Sequence, residues 1–318
     1  NKPILCCCSF AVLLGTILLT SCSRANQNCQ HAFDERDWAL DNHAQVINDN
    51  RGKKDIDIGI KDILEEIRDY SSVNVVVIDT GAEGYNGRDF YNGDNSIFDS
   101  YYYDYHGTYI CNIIAKVSPN AQIICNKFME GTNGNIDKAY DAMKDAVDNG
   151  ADIINCSWCS NEYSKKIDTL IKNNPNVLFV CSAGNSLINL DEYNVYPASY
   201  KYNNVISVIA IDNNGDLYQF SGYGKSATLA APGKDILVNL PDGDLGFIDG
   251  TSASAAFVSS AASIIKGKYP DLSAEEIKKA LVENVVELDT INGKCESNGV
   301  INIQRALEGA EKIIENKN

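Results

Sequence analysis

The chain has 318 residues, of which 44% are hydrophobic, and this is enough to bury a large core as one α/β domain. The length also allows two domains but does not require them. Lys and Arg number 27 against 43 Asp and Glu, which gives a formal net charge of −16. Because nucleic-acid binding depends on Lys and Arg neutralising phosphates, this charge argues against a nucleic-acid partner.

Residues 1–22 are predicted to be a signal peptide outside the fold. Lys2 precedes an apolar run that is too short and too close to the terminus to indicate a membrane-spanning helix. The run ends in Leu19-Thr20-Ser21-Cys22, which resembles a bacterial lipobox, whose cysteine is lipidated and whose preceding segment is removed. An ordinary signal peptide and an uncleaved anchor are the alternatives. The pattern therefore predicts an extracellular protein that is anchored by a lipid on Cys22 to the outer face of a bacterial cell membrane. Residues 23–36 would be the tether between this anchor and the folded domain.

Apolar runs of strand length alternate with helical patterns along the rest of the chain. Five runs are suited to parallel strands buried on both faces, and they are VNVVVID, AQIICN, ADIINCS, VLFVCS and NVISVIAI. Residues 136–149 repeat apolar residues at helical spacing and end before Gly150, a typical C-terminal cap. Ser273 and Glu276 form a capping-box pattern, with Leu272 and Ile277 placed for a hydrophobic staple. The sequence therefore predicts an α/β fold, a three-layer doubly wound and mostly parallel central sheet with helices on both faces.

The cysteines do not indicate a disulfide framework. Four of the eleven belong to the predicted signal peptide, which leaves an odd number, seven. Cys125, Cys156 and Cys181 lie in predicted interior strands, where a thiol behaves as a small hydrophobic group. Cys156 and Cys159 have CxxC spacing but do not lie at the helix start expected of a redox motif. We therefore expect neither a metal site nor a redox site at this pair.

Three motifs place chemically competent side chains beside small residues. Asp79 lies in VVVIDTG, His106 in HGT at a predicted helix start, and Ser252 in GTSAS at the start of an Ala- and Ser-rich helix. A serine hydroxyl is a poor nucleophile until an adjacent base takes its proton, and the other two histidines, His31 and His43, lie in the polar N-terminal stretch. Taken alone, Asp79 could equally cap a turn.

The order Asp79, His106, Ser252 is that of the catalytic triad of subtilisin, and the chain resembles the subtilisin-like serine peptidases, or subtilases. The resemblance runs from about Trp38 to near Ala306 through WALDNHAQ, ADIINCSW, VCSAGNS, NVISVIAID, TLAAPG and SNGVINIQRAL. It implies a subtilisin-like fold and peptide-bond hydrolysis through an acyl-enzyme. Residues 37–318 are expected to form the peptidase domain, with no separate pro-domain.

The same resemblance assigns further site residues. Asn185 matches the oxyanion-hole asparagine of the family, although Gly-Asn is also an ordinary turn pair. The implied walls of the primary specificity pocket are Ser157, Trp158 and Cys159 on one side and Ser182, Ala183 and Gly184 on the other. An edge strand of Gly131, Thr132, Asn133 and Gly134 would pair with an extended substrate.

Three positions depart from the family pattern. Ala256 stands where a proline is usual and Ser260 where a glycine is expected. Since proline is merely tolerated in a first helical turn, Ala256 should mainly alter local rigidity. Cys159 stands where relatives commonly have glycine, so a thiol that points into the pocket would narrow it. Alternatively the thiol turns away into the core.

The sequence predicts a secreted, monomeric serine endopeptidase that acts on peptide or protein substrates. Two alternatives are a dedicated maturation protease for one secreted peptide, such as a bacteriocin leader, and a non-catalytic peptide-binding relative. The lipid tether and the missing pro-domain favour the first of these.

No cofactor is required for the expected catalysis. Structural calcium, which many relatives bind, has potential oxygen ligands in NGRDFYNGDNSIFD. This stretch lacks a loop with fixed ligand spacing, so solvated turns are the alternative.

Overall fold

Strands and helices alternate along the chain in the structure, a computed structural model that describes residues 5–6, 34–94, 96–98, 105–241 and 243–317. The strands are β1 (Leu5–Cys6), β2 (Val46–Ile47), β3 (Asn50–Arg51), β4 (Val73–Asp79), β5 (Ala121–Lys127), β6 (Met129–Glu130), β7 (Asn133–Gly134), β8 (Ile153–Cys156), β9 (Trp158–Cys159), β10 (Leu178–Ser182), β11 (Val205–Ile211), β12 (Leu229–Pro232), β13 (Ile236–Asn239), β14 (Leu245–Ile248), β15 (Val286–Glu287) and β16 (Gly299–Val300). The α-helices are α1 (Leu64–Ile67), α2 (His106–Val117), α3 (Ile136–Asp148), α4 (Lys165–Asn173), α5 (Thr251–Lys268), α6 (Ala274–Glu283) and α7 (Ile303–Glu315).

One eight-stranded sheet organises the fold, in the order β15-β16-β12-β11-β10-β8-β4-β5. Its neighbouring strands are parallel except for β15 and β16. The five apolar runs correspond to β4, β5, β8, β10 and β11. The prediction of a mostly parallel α/β sheet is confirmed.

Two hydrophobic cores cover the two faces of this sheet. In β4 the side chains alternate, so that Val73, Val75 and Val77 join one core while Val76 and Ile78 join the other. Helices α2, α5, α6 and α7 contribute to the first core, and α3 and α4 to the second. Both faces of the sheet are therefore covered, which suits the mostly apolar sequences of its central strands.

Local signals set the helix ends. The side chain of Asn135 accepts a hydrogen bond from the Lys138 N–H at the start of α3, and Gly150 follows its end with φ of +78°. At α6 the capping box between Ser273 and Glu276 is present in both directions. Both helix predictions are confirmed.

The N-terminal segment of the described chain packs onto this framework. Trp38 is buried and its Nε1 donates to the Lys234 carbonyl at 3.0 Å. Cys22 and most of the predicted signal peptide lie outside the described residues. Within the described residues, no helix has the length and apolar character needed to cross a membrane.

The strand order creates a crevice at one edge of the sheet. From β4 the chain passes through α2 to β5 on one side, then through α3 to β8 on the other side of β4. Open α/β sheets bind ligands where the strand order reverses in this way, outside the carboxyl ends of the strands. Asp79 ends β4 and Ser157 follows β8, so both lie at this edge.

Candidate active site

Asp79 and His106 are hydrogen-bonded at the carboxyl edge of the sheet. Asp79 is the last residue of β4 and His106 is the first of α2, and His106 Nδ1 lies 2.6 Å from Asp79 Oδ1. Both side chains are buried. The Thr80 N–H also donates to Asp79 Oδ1 at 2.8 Å. Two donors therefore hold this carboxylate oxygen.

Gly107 allows α2 to approach the loop that follows β4. A Cβ on Gly107 would lie 2.2 Å from the Gly81 carbonyl oxygen and 3.3 Å from Asp79 Cβ. The Gly107 N–H donates to Thr80 Oγ1 at 3.1 Å. The small residues of the DTG and HGT motifs thus bring the two side chains within bonding distance.

Ser252 lies in the first turn of α5 and is fully buried. Its Oγ donates to the Ser157 carbonyl at 2.9 Å, and Ser157 Oγ donates to the Ser252 carbonyl at 2.9 Å. The two serines therefore clamp each other across the end of β8. A hydroxyl has one proton, so the Ser252 proton points at Ser157 in this conformation.

Asn185 is oriented by the residue before Ser252. Its Oδ1 accepts from the Thr251 N–H at 2.9 Å and from Thr251 Oγ1 at 3.0 Å. Its Nδ2 is buried and has no hydrogen-bond partner within the described parts of the chain. Thr251 Oγ1 also accepts from the Gly184 N–H at 3.2 Å. Two bonds therefore fix the amide, while its donor end has no bond within the described residues.

The two predicted pocket walls lie against each other. Ser182 Oγ donates to the Trp158 carbonyl at 3.3 Å. A Cβ on Gly184, whose φ is +90°, would lie 3.5 Å from Cys159 Sγ and 3.7 Å from Val195 Cγ1. Cys159, Val195 and the partly buried Ile188 form a small apolar cluster separate from the two main cores. The Cys159 thiol therefore faces the opposite wall.

The Trp158 side chain lies beneath the wall that its backbone forms. Its side chain is fully buried in the second core, with its ring centroid 4.9 Å from that of Phe128. Neighbouring residues of a strand face opposite sides, so Trp158 and Cys159 cannot both face the opposite wall. Ser182 and Ala183 are also fully buried. The side chains of Trp158, Ser182 and Ala183 therefore pack inside the protein.

The predicted edge strand is a short hairpin. Met129–Glu130 pairs antiparallel with Asn133–Gly134, and Gly131 and Thr132 form the turn between them. Gly131, Thr132 and Asn133 are exposed. The segment is thus a strand only in part.

Comparison with known proteins decides the family. Residues 70–306 match the model of the Subtilase family. The chain belongs to the subtilase family. It is 27% identical over 258 residues to subtilisin DY of Bacillus licheniformis, covering 75% of this chain and 92% of that protein. It is 30% identical over 271 residues to the major intracellular serine protease of Bacillus subtilis (strain 168), covering 76% and 84%.

A solved structure agrees with this assignment. The prenylagaramide maturation protease PagA is 25% identical and superposes with a TM-score of 0.66, covering 79% of this chain and 98% of that one. This subtilase is a subtilisin-like serine endopeptidase.

Two departures of this subtilase from its family pattern meet within α5. Ser260 Oγ donates to the Ala256 carbonyl at 2.8 Å, one helical turn back. Both residues are fully buried, and α5 runs without a break from Thr251 to Lys268. The missing proline therefore leaves the helix intact.

Sequence reasoning missed several residues around Ser252. Thr251 links Asn185 to Gly184, and Asn155 donates to Ser157 Oγ at 2.9 Å. The available signal was an asparagine in the otherwise apolar run of β8, since a fully buried polar side chain needs a partner.

The described part of the suggested calcium stretch in this subtilase is engaged in other contacts. Asp89 Oδ1 accepts from the N–H groups of Tyr91 and Asn92, and Asp89 Oδ2 lies 3.5 Å from Lys127 Nζ. A carboxylate already beside an ammonium group does not fit a calcium ligand. No group of three or more His, Cys, Asp or Glu that could hold a metal occurs among the described residues. Because the whole stretch extends beyond the described residues, calcium stays a prediction.

The thiols near the site are buried. Cys156 and Cys181 are directly opposite each other on β8 and β10. Burial, followed by a hydrogen bond with Cys181, raises the pKa of the Cys156 thiol. A thiol with a raised pKa is a weak nucleophile and metal ligand, so this pair acts as part of the core.

Proposed function

We propose that Ser252 is the nucleophile of this endopeptidase, His106 its general base and Asp79 the group that orients the base. The observation that carries the proposal is the 2.6 Å hydrogen bond between His106 Nδ1 and Asp79 Oδ1. An ionised carboxylate only accepts hydrogen bonds, so the imidazole proton lies on Nδ1 and Nε2 keeps its lone pair. That lone pair is what a serine hydroxyl needs for activation.

The reaction begins when the Ser252 hydroxyl turns from the Ser157 carbonyl to His106. As Ser252 Oγ attacks the scissile carbonyl, His106 Nε2 takes the proton and Asp79 stabilises the imidazolium. His106 then gives this proton to the leaving amine, which leaves an acyl group on Ser252. His106 then takes a proton from a water molecule as this water attacks the acyl carbonyl, and returns the proton to Ser252 Oγ as the ester bond breaks. These steps need no cofactor.

Asn185 is proposed to stabilise the oxyanion. Its Nδ2 is buried and has no partner in the described chain, while two bonds to Thr251 fix the opposite end of the amide. The Ser252 N–H, in the first turn of α5, is the second donor. Negative charge on the substrate oxygen would satisfy both donors at the moment when the charge develops.

Extended peptides are proposed to bind along β9. This strand already pairs antiparallel with β1, with Leu5 opposite Cys159 and Cys6 opposite Trp158. Its edge therefore suits strand addition, the mode by which an extended peptide uses its main chain for affinity. A substrate would take the place of β1, with the exposed hairpin of β6 and β7 as the other side of the groove.

Cys159 is proposed to restrict the residue before the scissile bond. Its Sγ faces Gly184 and packs in one cluster with Val195 and Ile188. A thiol between the two walls shortens the space for a substrate side chain. We infer a preference for small or slender residues over Phe and Tyr.

We propose a cellular location for the enzyme and a second, narrower candidate function. Leu19-Thr20-Ser21-Cys22 supports secretion with a lipid anchor at Cys22, and we propose that the enzyme acts as a monomer on the outer face of the cell membrane. A second candidate function is maturation of one secreted peptide. The likeness to PagA, named as a maturation protease, favours this narrower role.

A fluorophosphonate probe tests the nucleophile directly. The probe should label the wild-type enzyme at Ser252, and Ser252→Ala should abolish both labelling and peptide hydrolysis. The matched control is Ser254→Ala, since Ser254 is equally buried in the same helix but, among the described residues, its hydroxyl bonds only the carbonyls of Ala231 and Pro232. Labelling at another residue, or labelling retained in Ser252→Ala, would overturn the proposal.

A further inference from the structure

A chain of buried hydrogen bonds runs from the third turn of α5 back to Ser252. Ser259 Oγ donates to Asn155 Oδ1 at 2.9 Å, and Asn155 Nδ2 donates to Ser157 Oγ at 2.9 Å. Ser157 Oγ in turn donates to the Ser252 carbonyl at 2.9 Å. All four residues are fully buried. These hydrogen bonds therefore link the interior of α5 to its first turn, where Ser252 lies, through Asn155 of β8.

The donors in this chain all point toward Ser252. Each hydroxyl has one proton to donate, and the carbonyl end of the Asn155 amide is occupied by Ser259. The amide is thereby fixed with its N–H₂ end toward Ser157. Asn155 Oδ1 accepts no other hydrogen bond from the described residues, so without Ser259 the amide could turn.

The packing of the core does not explain these polar residues. Asn155 lies in β8 between Ile154 and Cys156, and Ser259 follows Phe257 and Val258 in α5. Apolar side chains would serve such positions, because burying a polar group is unfavourable unless it is hydrogen-bonded. Paired polar groups in a dry core instead fix one arrangement of the elements that carry them.

The arrangement that they fix is the position of Ser252. Ser259 stands seven positions after Ser252, close to two helical turns, so the two residues share a face of α5. Ser157, the last link in this series of hydrogen bonds, bonds Ser252 twice, through its hydroxyl and through its carbonyl. Movement of Ser157 would therefore move the nucleophile.

We propose that Asn155 and Ser259 are positioning residues, which act through Ser157 to hold Ser252 and the first turn of α5 in register with the substrate carbonyl. The inference rests on the proposed role of Ser252 as the nucleophile. Both side chains are fully buried and bond to each other, so their loss should affect the chemical step more than substrate binding. Displacement of a reacting group by about 1 Å can cost about 10²-fold in rate.

The test compares two neighbouring serines of α5. Ser259→Ala should lower kcat about 10- to 100-fold with KM within about twofold of wild type. Ser260→Ala is the matched control, because Ser260 is equally buried but its hydroxyl bonds, within the described part of the chain, only the Ala256 carbonyl of its own helix. Its kcat and KM should both stay within about twofold of wild type. Urea unfolding of each variant reports the stability change separately.

A double-mutant cycle separates positioning from general destabilisation. If Ser259 acts through Ser157, then Ser157→Ala/Ser259→Ala should lower kcat no further than Ser157→Ala alone. If Ser259→Ala does not fold, Ser259→Cys, which keeps the size and a weak donor, should show a smaller fall in kcat at unchanged KM.

Three results would overturn the inference. They are an unchanged kcat in a folded Ser259 variant, an equal change in Ser260→Ala, and multiplicative losses in the double variant. Wild-type labelling at Ser252 is measured in the same experiment. Its absence would count against the proposed nucleophile, whereas labelled wild type with an unaffected Ser259→Ala would count against the positioning chain alone.

Discussion

Replacing Asn185 with Asp separates the two ends of its side-chain amide. The Oδ1 end accepts from Thr251 N–H at 2.9 Å and from Thr251 Oγ1 at 3.0 Å, while the buried Nδ2 has no partner in the described chain. Asn185→Asp keeps an acceptor for Thr251 and removes the donor. Asn185→Leu removes both. A comparison of the two variants assigns the catalytic loss to one end of the amide.

Both variants should lose about 10²- to 10³-fold in kcat, or about 2.7–4 kcal/mol, which is the size known for one oxyanion-hole donor in subtilisin itself. The Asp variant should lose at least as much as Leu, because its negative charge opposes the developing oxyanion. KM should change little, since the substrate oxygen is uncharged before attack.

Stability should separate the two variants. In Asn185→Leu the buried Thr251 N–H and hydroxyl lose their acceptor, at a cost of about 1–3 kcal/mol for each group left unsatisfied. In Asn185→Asp both bonds persist, so the free energy of unfolding should fall less. Initial rates on a chromogenic peptide and urea unfolding curves measure the two effects. Near wild-type kcat in Asn185→Asp, or a loss confined to KM, would refute the oxyanion role.

Four further predictions address the triad, Asp249 in the loop between β14 and α5, the specificity pocket and the lipid anchor. Ser252→Ala or His106→Ala should each lower kcat about 10⁶-fold, as in subtilisin itself, and more than a percent of residual activity would contradict the triad. Burial raises the pKa of Asp249, so its charged form destabilises the fold as pH rises through that pKa. Asp249→Asn should raise the free energy of unfolding at neutral pH but not at a pH below the ordinary pKa range of aspartate. A stability gain that does not depend on pH would exclude the buried charge as its cause. Cys159→Gly should raise the Phe-to-Ala preference before the scissile bond by about 10-fold or more, equivalent to about 1–3 kcal/mol, in a peptide-library profile, whereas unchanged selectivity would mean that the thiol does not limit the pocket. The mature protein should begin at Cys22 with a diacylglyceryl mass, and a soluble wild-type enzyme would contradict the lipid anchor.

Local sequence patterns were sufficient to predict the elements that carry the site. Asp79 was predicted at a strand end because an apolar run stops there. His106 and Ser252 were predicted at helix starts because each begins a segment of helical pattern. These signals depend on neighbours in the chain. The register of β4 beside β8, which brings Asp79 close to the segment of Ser157, follows instead from sheet assembly.

The sequence leaves open which residues of the walls face the pocket, because this depends on the direction of each side chain. Trp158 and Cys159 are adjacent in sequence, yet Trp158 packs on Phe128 in the core while Cys159 faces Gly184. Strand alternation predicts opposite directions but not which residue faces the groove. Which of the two side chains turns inward depends on the space in the core beside β9. That space accommodates the indole ring of Trp158.

The polar chain beneath Ser252 shows how the core and the site are coupled in this subtilase. Asn155 and Ser259 are 104 positions apart, and they meet because α5 packs across the strands of the sheet. A mostly parallel sheet buried on both faces leaves its strand interiors without water, so any polar side chain there must find its partner in the protein. Here the partners form a line that ends on the proposed nucleophile. The same dryness that makes an unpaired amide costly makes a paired one rigid, and rigidity at the carboxyl edge is what an attacking oxygen requires.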